Sequence, residues 1–173
     1  MQYARLWLAL GAGLVALVGC ASSPSDGAAE DPPGLPAPYL AFSSDFKDYP
    51  GWRSARFDGG AEGLHTAGTR TVYVKGTRGP SGRFPVGTII VKEIASADAK
   101  TFAMVKRGAG FNGKGARDWE WFELVKSDDG SPLVKWRGVG PPSGESYGGD
   151  PNGCNACHGA AEAHDYVLSP ALW

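Results

Sequence analysis

The sequence predicts a mainly β domain of the α+β class, in which an antiparallel sheet is accompanied by a few short helices. Short segments rich in β-branched and aromatic residues follow one another with turn signals between them, and helical periodicity is weak. The 26 glycines and 13 prolines among 173 residues also favour turns. The predicted strands are Thr69–Gly76, Phe84–Ile94, Lys100–Arg107, Arg117–Ser127 and Pro132–Gly138.

Two short helices and one loop complete the predicted domain. The first helix lies near Leu40–Tyr49, where Ser43 or Ser44 could supply the N-cap. The second runs through the alanine-rich segment Asn155–Ala163. The segment Gly138–Gly153 is rich in glycine and proline, so we expect an ordered loop there.

The first 38 residues precede the predicted domain and indicate export. Arg5 is followed by an apolar run that is too short to span a bilayer comfortably, which is typical of a signal sequence. The run ends in "LVGC", which resembles the lipobox of bacterial lipoproteins and makes Cys20 the lipid-bearing residue. We therefore expect a signal peptide at 1–19, a lipid anchor with a flexible linker at 20–38 and a folded domain at 39–173. Ordinary signal cleavage with an incidental Cys20 is the alternative.

These assignments place the protein at the bacterial cell envelope, held to the outer membrane through lipid on Cys20 and facing the periplasm. The charge of the chain is nearly balanced, with 17 Lys and Arg against 18 Asp and Glu. Because nucleic-acid-binding domains carry a basic excess, we expect no nucleic-acid partner.

The segment "CNACH" combines two cysteines and a histidine at Cys154, Cys157 and His158. In an exported chain this spacing is the attachment sequence for haem c. Each thiol would add to one vinyl group of the porphyrin, and the adjacent imidazole would bind the iron. The sequence therefore predicts covalently attached haem c, with thioether links at Cys154 and Cys157 and His158 as the iron ligand.

Three other sites share the C-x-x-C spacing. A thioredoxin-like pair follows a strand and opens a helix in a βαβ unit, and no such pattern is present. A zinc site needs a fourth ligand, for which His65 and His164 remain. A disulfide across C-x-x-C is the third alternative, although it is strained and seldom structural.

The chain has no methionine after Cys154, and its internal methionine is Met104. A sixth iron ligand would therefore come from upstream, and we expect an axial position open to small ligands.

Lys92 is the second candidate site residue. Strand alternation places it with Thr88, Ile90 and Ile94 on one face of the predicted strand, while Ile89, Val91 and Glu93 take the other. A single lysine in a strand is by default an edge residue or one that extends its amine into water.

Several segments in order resemble the cytochrome P-460 / cytochrome c′-beta family over about Tyr39 to Ser169. These segments are "DYPGW", "VYVKG", "GRFPVGTIIVKEI", "DWEWF", "CNACH" and "HDYVLS". The resemblance implies a cupped antiparallel sheet against which the haem packs. It also implies that Lys92 faces the haem, because a lysine at this position is joined to a haem meso carbon in cytochrome P-460 members.

The resemblance implies oxidation of hydroxylamine, or of a related small nitrogen compound, at a five-coordinate haem. Periplasmic electron-transfer proteins would then be the partners, and a homodimer is an open expectation because family members are often dimers. The cytochrome c′-beta branch lacks the cross-link and binds nitric oxide in an apolar aromatic pocket. A simple electron carrier is a further alternative.

Active members of the family use a carboxylate as a proton relay, and the sequence does not assign it. Glu93, Glu120 and Glu123 are candidates by residue type, although by default we expect each to be a solvated charge. His65 is expected at the distal pocket or on the surface. His164 is expected to be exposed on the last helix, or to lie near a haem propionate.

Overall fold

The computed structural model of the chain describes residues 37–59, 68–95, 99–145 and 153–172. The predictions for the signal peptide, for Cys20 and for most of the linker lie outside the described residues, as does the one for His65. Among the described residues, no helix has the length and apolar character needed to cross a membrane.

In the described residues, six strands form one antiparallel sheet in the order β1-β2-β3-β4-β5-β6, so each strand pairs with its neighbour in sequence. The prediction of a mainly β, antiparallel fold is confirmed. The strands are β1 (Arg53–Gly59), β2 (Gly68–Lys75), β3 (Ile89–Ala95), β4 (Thr101–Lys106), β5 (Trp119–Lys126) and β6 (Pro132–Gly138).

The edge strand β1 was missed by the sequence prediction. Its sequence "RSARFDG" has one large apolar residue, Phe57, and three charged ones. Within the part of the chain that the structure describes, β1 pairs only with β2. Edge strands tolerate charged side chains because one side faces solvent, and this removes the apolar alternation by which a strand is recognised.

The predicted strand Phe84–Ile94 begins too early. Pro85 lacks an amide hydrogen, and Gly87 has φ +89°, a backbone conformation that favours glycine. The chain turns here and enters the sheet at Ile89. The turn is tied to the neighbouring strand, because the Gly87 amide donates to the Lys106 carbonyl at 2.8 Å.

The predicted first helix is a single 3₁₀ turn, Ser43–Phe46, followed by a second at Tyr49–Gly51. The expected serine cap is absent. Instead the Asp45 carboxylate accepts the Phe42 amide at 2.8 Å, and the Ser43 hydroxyl accepts the Val134 amide of β6 at 3.0 Å. Ser43 therefore ties the turn to the sheet instead of closing the helix.

The predicted C-terminal helix is shorter than expected. The α-helix α1 spans Cys154–Gly159, and 3₁₀ turns follow at Glu162–His164 and Pro170–Leu172. Asp165 ends the first of these turns in a left-handed conformation with φ +57°.

The two faces of the sheet pack against different parts of the chain. We call them the cavity face and the closed face. The cavity face carries Val72, Val74, Ile90, Met104, Trp119 and Trp121, which pack with Phe84, Tyr166, Val167 and Leu172. The closed face carries Ile89, Val91, Ala103, Val105, Phe122 and Leu124, which pack with Ala41, Phe46 and Tyr49.

Candidate functional site

A cavity of about 780 Å³, including its open mouth, lies between the cavity face and the C-terminal segment. Pockets for small molecules and cofactors have mostly apolar walls with a few polar groups. The apolar lining side chains include Val72, Ile90, Phe102, Met104, Trp121, Val167 and Leu168, and the lining residues with reactive or ionisable side chains are Lys92, Cys154, Cys157 and His158.

The cavity brings together all four site residues that the sequence singled out. Lys92 comes from the centre of the sheet, whereas the two cysteines and His158 come from α1. The strand register shows how Lys92 reaches this place: it pairs with Val72 of β2 on one side and with Phe102 of β4 on the other. Since both partners also line the cavity, Lys92 is not the edge lysine of the default expectation.

The helix α1 presents its three motif residues on one side. Cys154, Cys157 and His158 are separated by three and four positions, and such residues are neighbours on a helix surface. Both cysteines are free thiols, so they do not form the disulfide considered as an alternative. Gly153, with φ +54°, lets the chain turn into the helix directly before Cys154.

Asn155, the residue after the first cysteine, anchors α1 to the sheet and to the loop before β5. Its side-chain oxygen accepts hydrogen bonds from Trp121 Nε1 at 3.0 Å, Asn112 Nδ2 at 2.8 Å and the Ala116 amide at 3.1 Å. Its side-chain nitrogen donates to Asn112 Oδ1 at 3.1 Å and to the Val139 carbonyl at 2.9 Å. Sequence reasoning passed over Asn155, because the two positions between the cysteines carry no requirement of their own in the motif.

Close approach to Asn155 requires a glycine. A Cβ on Gly115 would lie 2.3 Å from Asn155 Cγ, closer than any real contact allows. The glycine-rich loop that precedes β5 therefore leaves room for the Asn155 side chain of α1.

His158 is oriented by the backbone of the segment that follows α1. Its Nδ1 lies 2.6 Å from the Tyr166 carbonyl oxygen. Because a carbonyl can only accept, Nδ1 carries the proton and Nε2 keeps its lone pair. Metal-binding histidines are commonly held in this way. The Trp121 ring packs beside the imidazole, with centroids 4.5 Å apart.

The surroundings keep His158 neutral. Burial lowers its pKa to about 4, against the hydrogen bond to Tyr166, which raises it. Burial likewise raises the pKa of Cys154 to about 11. Redox-active C-x-x-C pairs instead have a lowered thiol pKa. With no parallel strand pair in the described sheet, the thioredoxin-like alternative loses its support.

Lys92 is the cationic group of the cavity. Burial, together with the charge of Arg70, lowers its pKa to about 8. The described residues contain no group of three or more His, Cys, Asp and Glu side chains that could hold a metal ion, which gives the zinc alternative no support there.

The three candidate carboxylates occupy different places, and the expectation of solvated charges is wrong for Glu120 and Glu123, which are buried. Glu120 is bound by Arg137 through two hydrogen bonds of 2.7 and 2.6 Å, and Glu93 accepts from Tyr73 at 3.0 Å and from Tyr49. Glu123 pairs with Phe102 across the sheet and accepts from Trp136 Nε1 at 2.8 Å. Glu123 is therefore the candidate on the face that carries Lys92.

His164 lies in the 3₁₀ turn after α1 and is partly buried, so the expectation of an exposed residue is not met.

Comparison of the chain with protein-family models, with curated proteins and with solved structures finds no match.

Proposed function

We propose that the chain is a periplasm-facing mono-haem c-type cytochrome of the P-460 type that oxidises hydroxylamine or a related small nitrogen compound. The observation that carries this proposal is the convergence of Cys154, Cys157, His158 and Lys92 on one apolar cavity. The four residues come from two elements far apart in the sequence, and a plain structural core has no use for a lysine, a histidine and two thiols at one place.

The residues present fit haem c. Cys154 and Cys157 would hold it by thioethers, in which each thiol adds across a vinyl double bond and its hydrogen moves to the second vinyl carbon, so that no oxidant is needed. His158 offers Nε2 as the iron ligand because its Nδ1–H donates a hydrogen bond to the Tyr166 carbonyl. When bound, haem would supply a Lewis-acidic and redox-active iron for the nitrogen compound.

The remaining cavity residues would contact the bound group and exclude water from it. Val72, Ile90 and Phe102 present apolar surface around Lys92, which favours a flat apolar group over solvent.

In the proposed reaction, two hydroxylamine molecules would give one nitrous oxide and one water, with four protons and four electrons released. The electrons would pass to periplasmic electron-transfer proteins.

The resemblance further implies a bond between Lys92 Nζ and a meso carbon of haem. Forming this bond removes two hydrogen atoms, one from the amine and one from the carbon, and so requires a two-electron oxidant. Hydrogen peroxide would be a suitable oxidant, because it would take up the two hydrogen atoms and be reduced to two waters.

The second candidate is a nitric oxide binding protein of the cytochrome c′-beta type. The observation in its favour is Phe102, which lines the cavity directly beside Lys92 in the strand register. An apolar aromatic wall suits an uncharged diatomic ligand and needs no cross-link.

The test uses the full chain expressed in a host that matures c-type cytochromes. We expect haem to stay with the polypeptide under denaturing conditions and to be lost when Cys154 and Cys157 are both changed to Ser, whereas Cys20→Ser keeps it. A colourless wild-type protein with unmodified thiols would contradict the proposal.

Lys92→Ala separates the two candidates. If the cross-link is present, the wild type shows a red-shifted ferrous Soret band and a mass two hydrogens below that of the simple haem c adduct, and Lys92→Ala loses both while keeping haem. Lys126→Ala, at the exposed end of β5, is the matched control. A wild type with the simple adduct mass that takes up nitric oxide and ignores hydroxylamine supports the second candidate. A six-coordinate low-spin spectrum in both redox states indicates an electron carrier.

A further inference from the structure

A buried ion pair involves Asp165, in the segment that follows α1, and the proposed chemistry assigns it no role. The Asp165 side chain is fully buried and accepts hydrogen bonds from Lys106 Nζ at 2.7 Å, from the Phe84 amide at 2.8 Å and from Arg83 Nη1 at 3.3 Å. Lys106 is itself only 4% exposed. Since a buried ion pair is often no more stabilising than apolar side chains of the same volume, its presence points to a role beyond stability.

The backbone at Asp165 connects this ion pair to His158. Asp165 and Tyr166 both adopt left-handed conformations, with φ +57° and +65°. Such a conformation is tolerated by aspartate but is unfavourable for a bulky residue such as Tyr, and it persists only where surrounding contacts enforce it. The consequence of the double turn is the direction of the Tyr166 carbonyl, which accepts the proton of His158 Nδ1.

The three donors to Asp165 reach it from elements outside its own segment. Lys106 ends β4, and Phe84 and Arg83 lie in the loop before β3. The carboxylate therefore fastens the Asp165–Tyr166 turn to the sheet, and the position of the Tyr166 carbonyl relative to His158 is set by the sheet as well as by α1.

We propose that Asp165, paired with Lys106, is a positioning residue that sets how strongly His158 donates electrons to a bound iron. A firm hydrogen bond from Nδ1 to a carbonyl raises the basicity of Nε2 and stabilises the oxidised metal. Loosening the turn would weaken this bond. The inference rests on the proposed function, because it assigns a role toward the haem iron.

The experiment compares holoprotein variants in two measurements, the midpoint potential of the haem and the iron–histidine stretching frequency of the ferrous protein. Asp165→Asn keeps a residue that tolerates φ +57° and removes the charge. We expect it to raise the potential and lower the frequency. Glu162→Gln is the matched control, because the Glu162 side chain accepts from the Tyr166 hydroxyl at 3.2 Å, and the bond from the Asp165 amide to the Glu162 backbone carbonyl does not involve the carboxylate that the substitution removes. It should leave both quantities unchanged.

A double variant guards against misfolding. Asp165→Asn leaves the Lys106 charge buried without its partner, so Lys106→Met with Asp165→Asn removes both charges together. We expect the double variant to shift the potential and the frequency as far as Asp165→Asn alone, since both remove the same anchor. Wild-type values in haem-bearing Asp165→Asn or double variants would overturn the inference while leaving haem attachment intact. A wild type without haem would instead overturn the proposed function, and the inference with it.

Discussion

The cavity face and the closed face are made by the same strands, yet they are completed in opposite ways. On the closed face the N-terminal segment supplies Phe46, which is fully buried and packs on Phe122 with ring centroids 5.3 Å apart. Its charged groups have protein partners, as with Glu120 and Arg137. On the cavity face the apolar side chains of Val72, Ile90 and Phe102 surround open space. The comparison teaches that alternating residues of one strand can contribute to a close-packed core on one face of the sheet and to the wall of an open cavity on the other.

The largest effect that separates the two faces is expected from removing one phenylalanine on each. Phe46→Ala should lower the free energy of unfolding by about 3–5 kcal/mol, because it opens a hole in a close-packed core. Phe102→Ala should cost less stability, since Phe102 is only partly buried and already borders open space, but it should alter ligand binding at the proposed haem. Urea unfolding and nitric oxide titration of each holoprotein measure the two effects. An equal loss of stability in both variants would show that the faces are packed alike.

A smaller effect is expected at the joint between α1 and the cavity face. Gly115→Ala places a Cβ against Asn155 and should cost about 1–3 kcal/mol, the usual range for overpacking. Gly159→Ala is the matched control, because a Cβ there meets nothing within 4 Å. Thermal unfolding reports the stability, and the fraction of chains that carry haem reports the placement of the thiols. If Gly159→Ala is as harmful as Gly115→Ala, the Asn155 anchor is not what holds the helix.

The smallest effect is expected on the closed face, in how the free energy of unfolding changes at alkaline pH. Burial, with the Asp45 hydrogen bond, raises the pKa of Tyr39 to about 12 from 10.0. The unfolded chain therefore loses this proton first, and stability falls as the pH rises from about 10 to 12. Tyr39→Phe should flatten that part of the curve, as followed by urea unfolding at a series of pH values. An unchanged slope would remove Tyr39 as its source.

Much of the fold was predictable because the central strands are rich in β-branched and aromatic residues. The residues of β6 were assigned from the sequence with their observed bounds, and β2, β4 and β5 to within two residues at each end. β1 was missed because an edge strand can dispense with apolar alternation. The start of β3 was misplaced because the apolar residues Phe84 and Val86 precede the strand, which begins at Ile89 after the turn at Gly87.

The motif residues of the candidate site were predictable, and their supports were not. Cys154, Cys157 and His158 are separated by a fixed spacing, and the face of Lys92 follows from strand alternation. Asn155 and Asp165 act through partners far away in the sequence, at Asn112, Trp121 and Lys106. Such pairs leave no periodic signal in a single chain. The same holds for the carboxylates, whose residue type says nothing about which arginine or tyrosine will meet them.

The nearest-neighbour order of the strands has a consequence for how the protein is assembled. Each hairpin joins segments that are adjacent in the chain, so loop closure is short and the sheet can grow in one direction from β1 to β6. The thiol-bearing helix comes after all six strands. The wall against which a porphyrin would rest can therefore exist before the segment that would bind it covalently arrives.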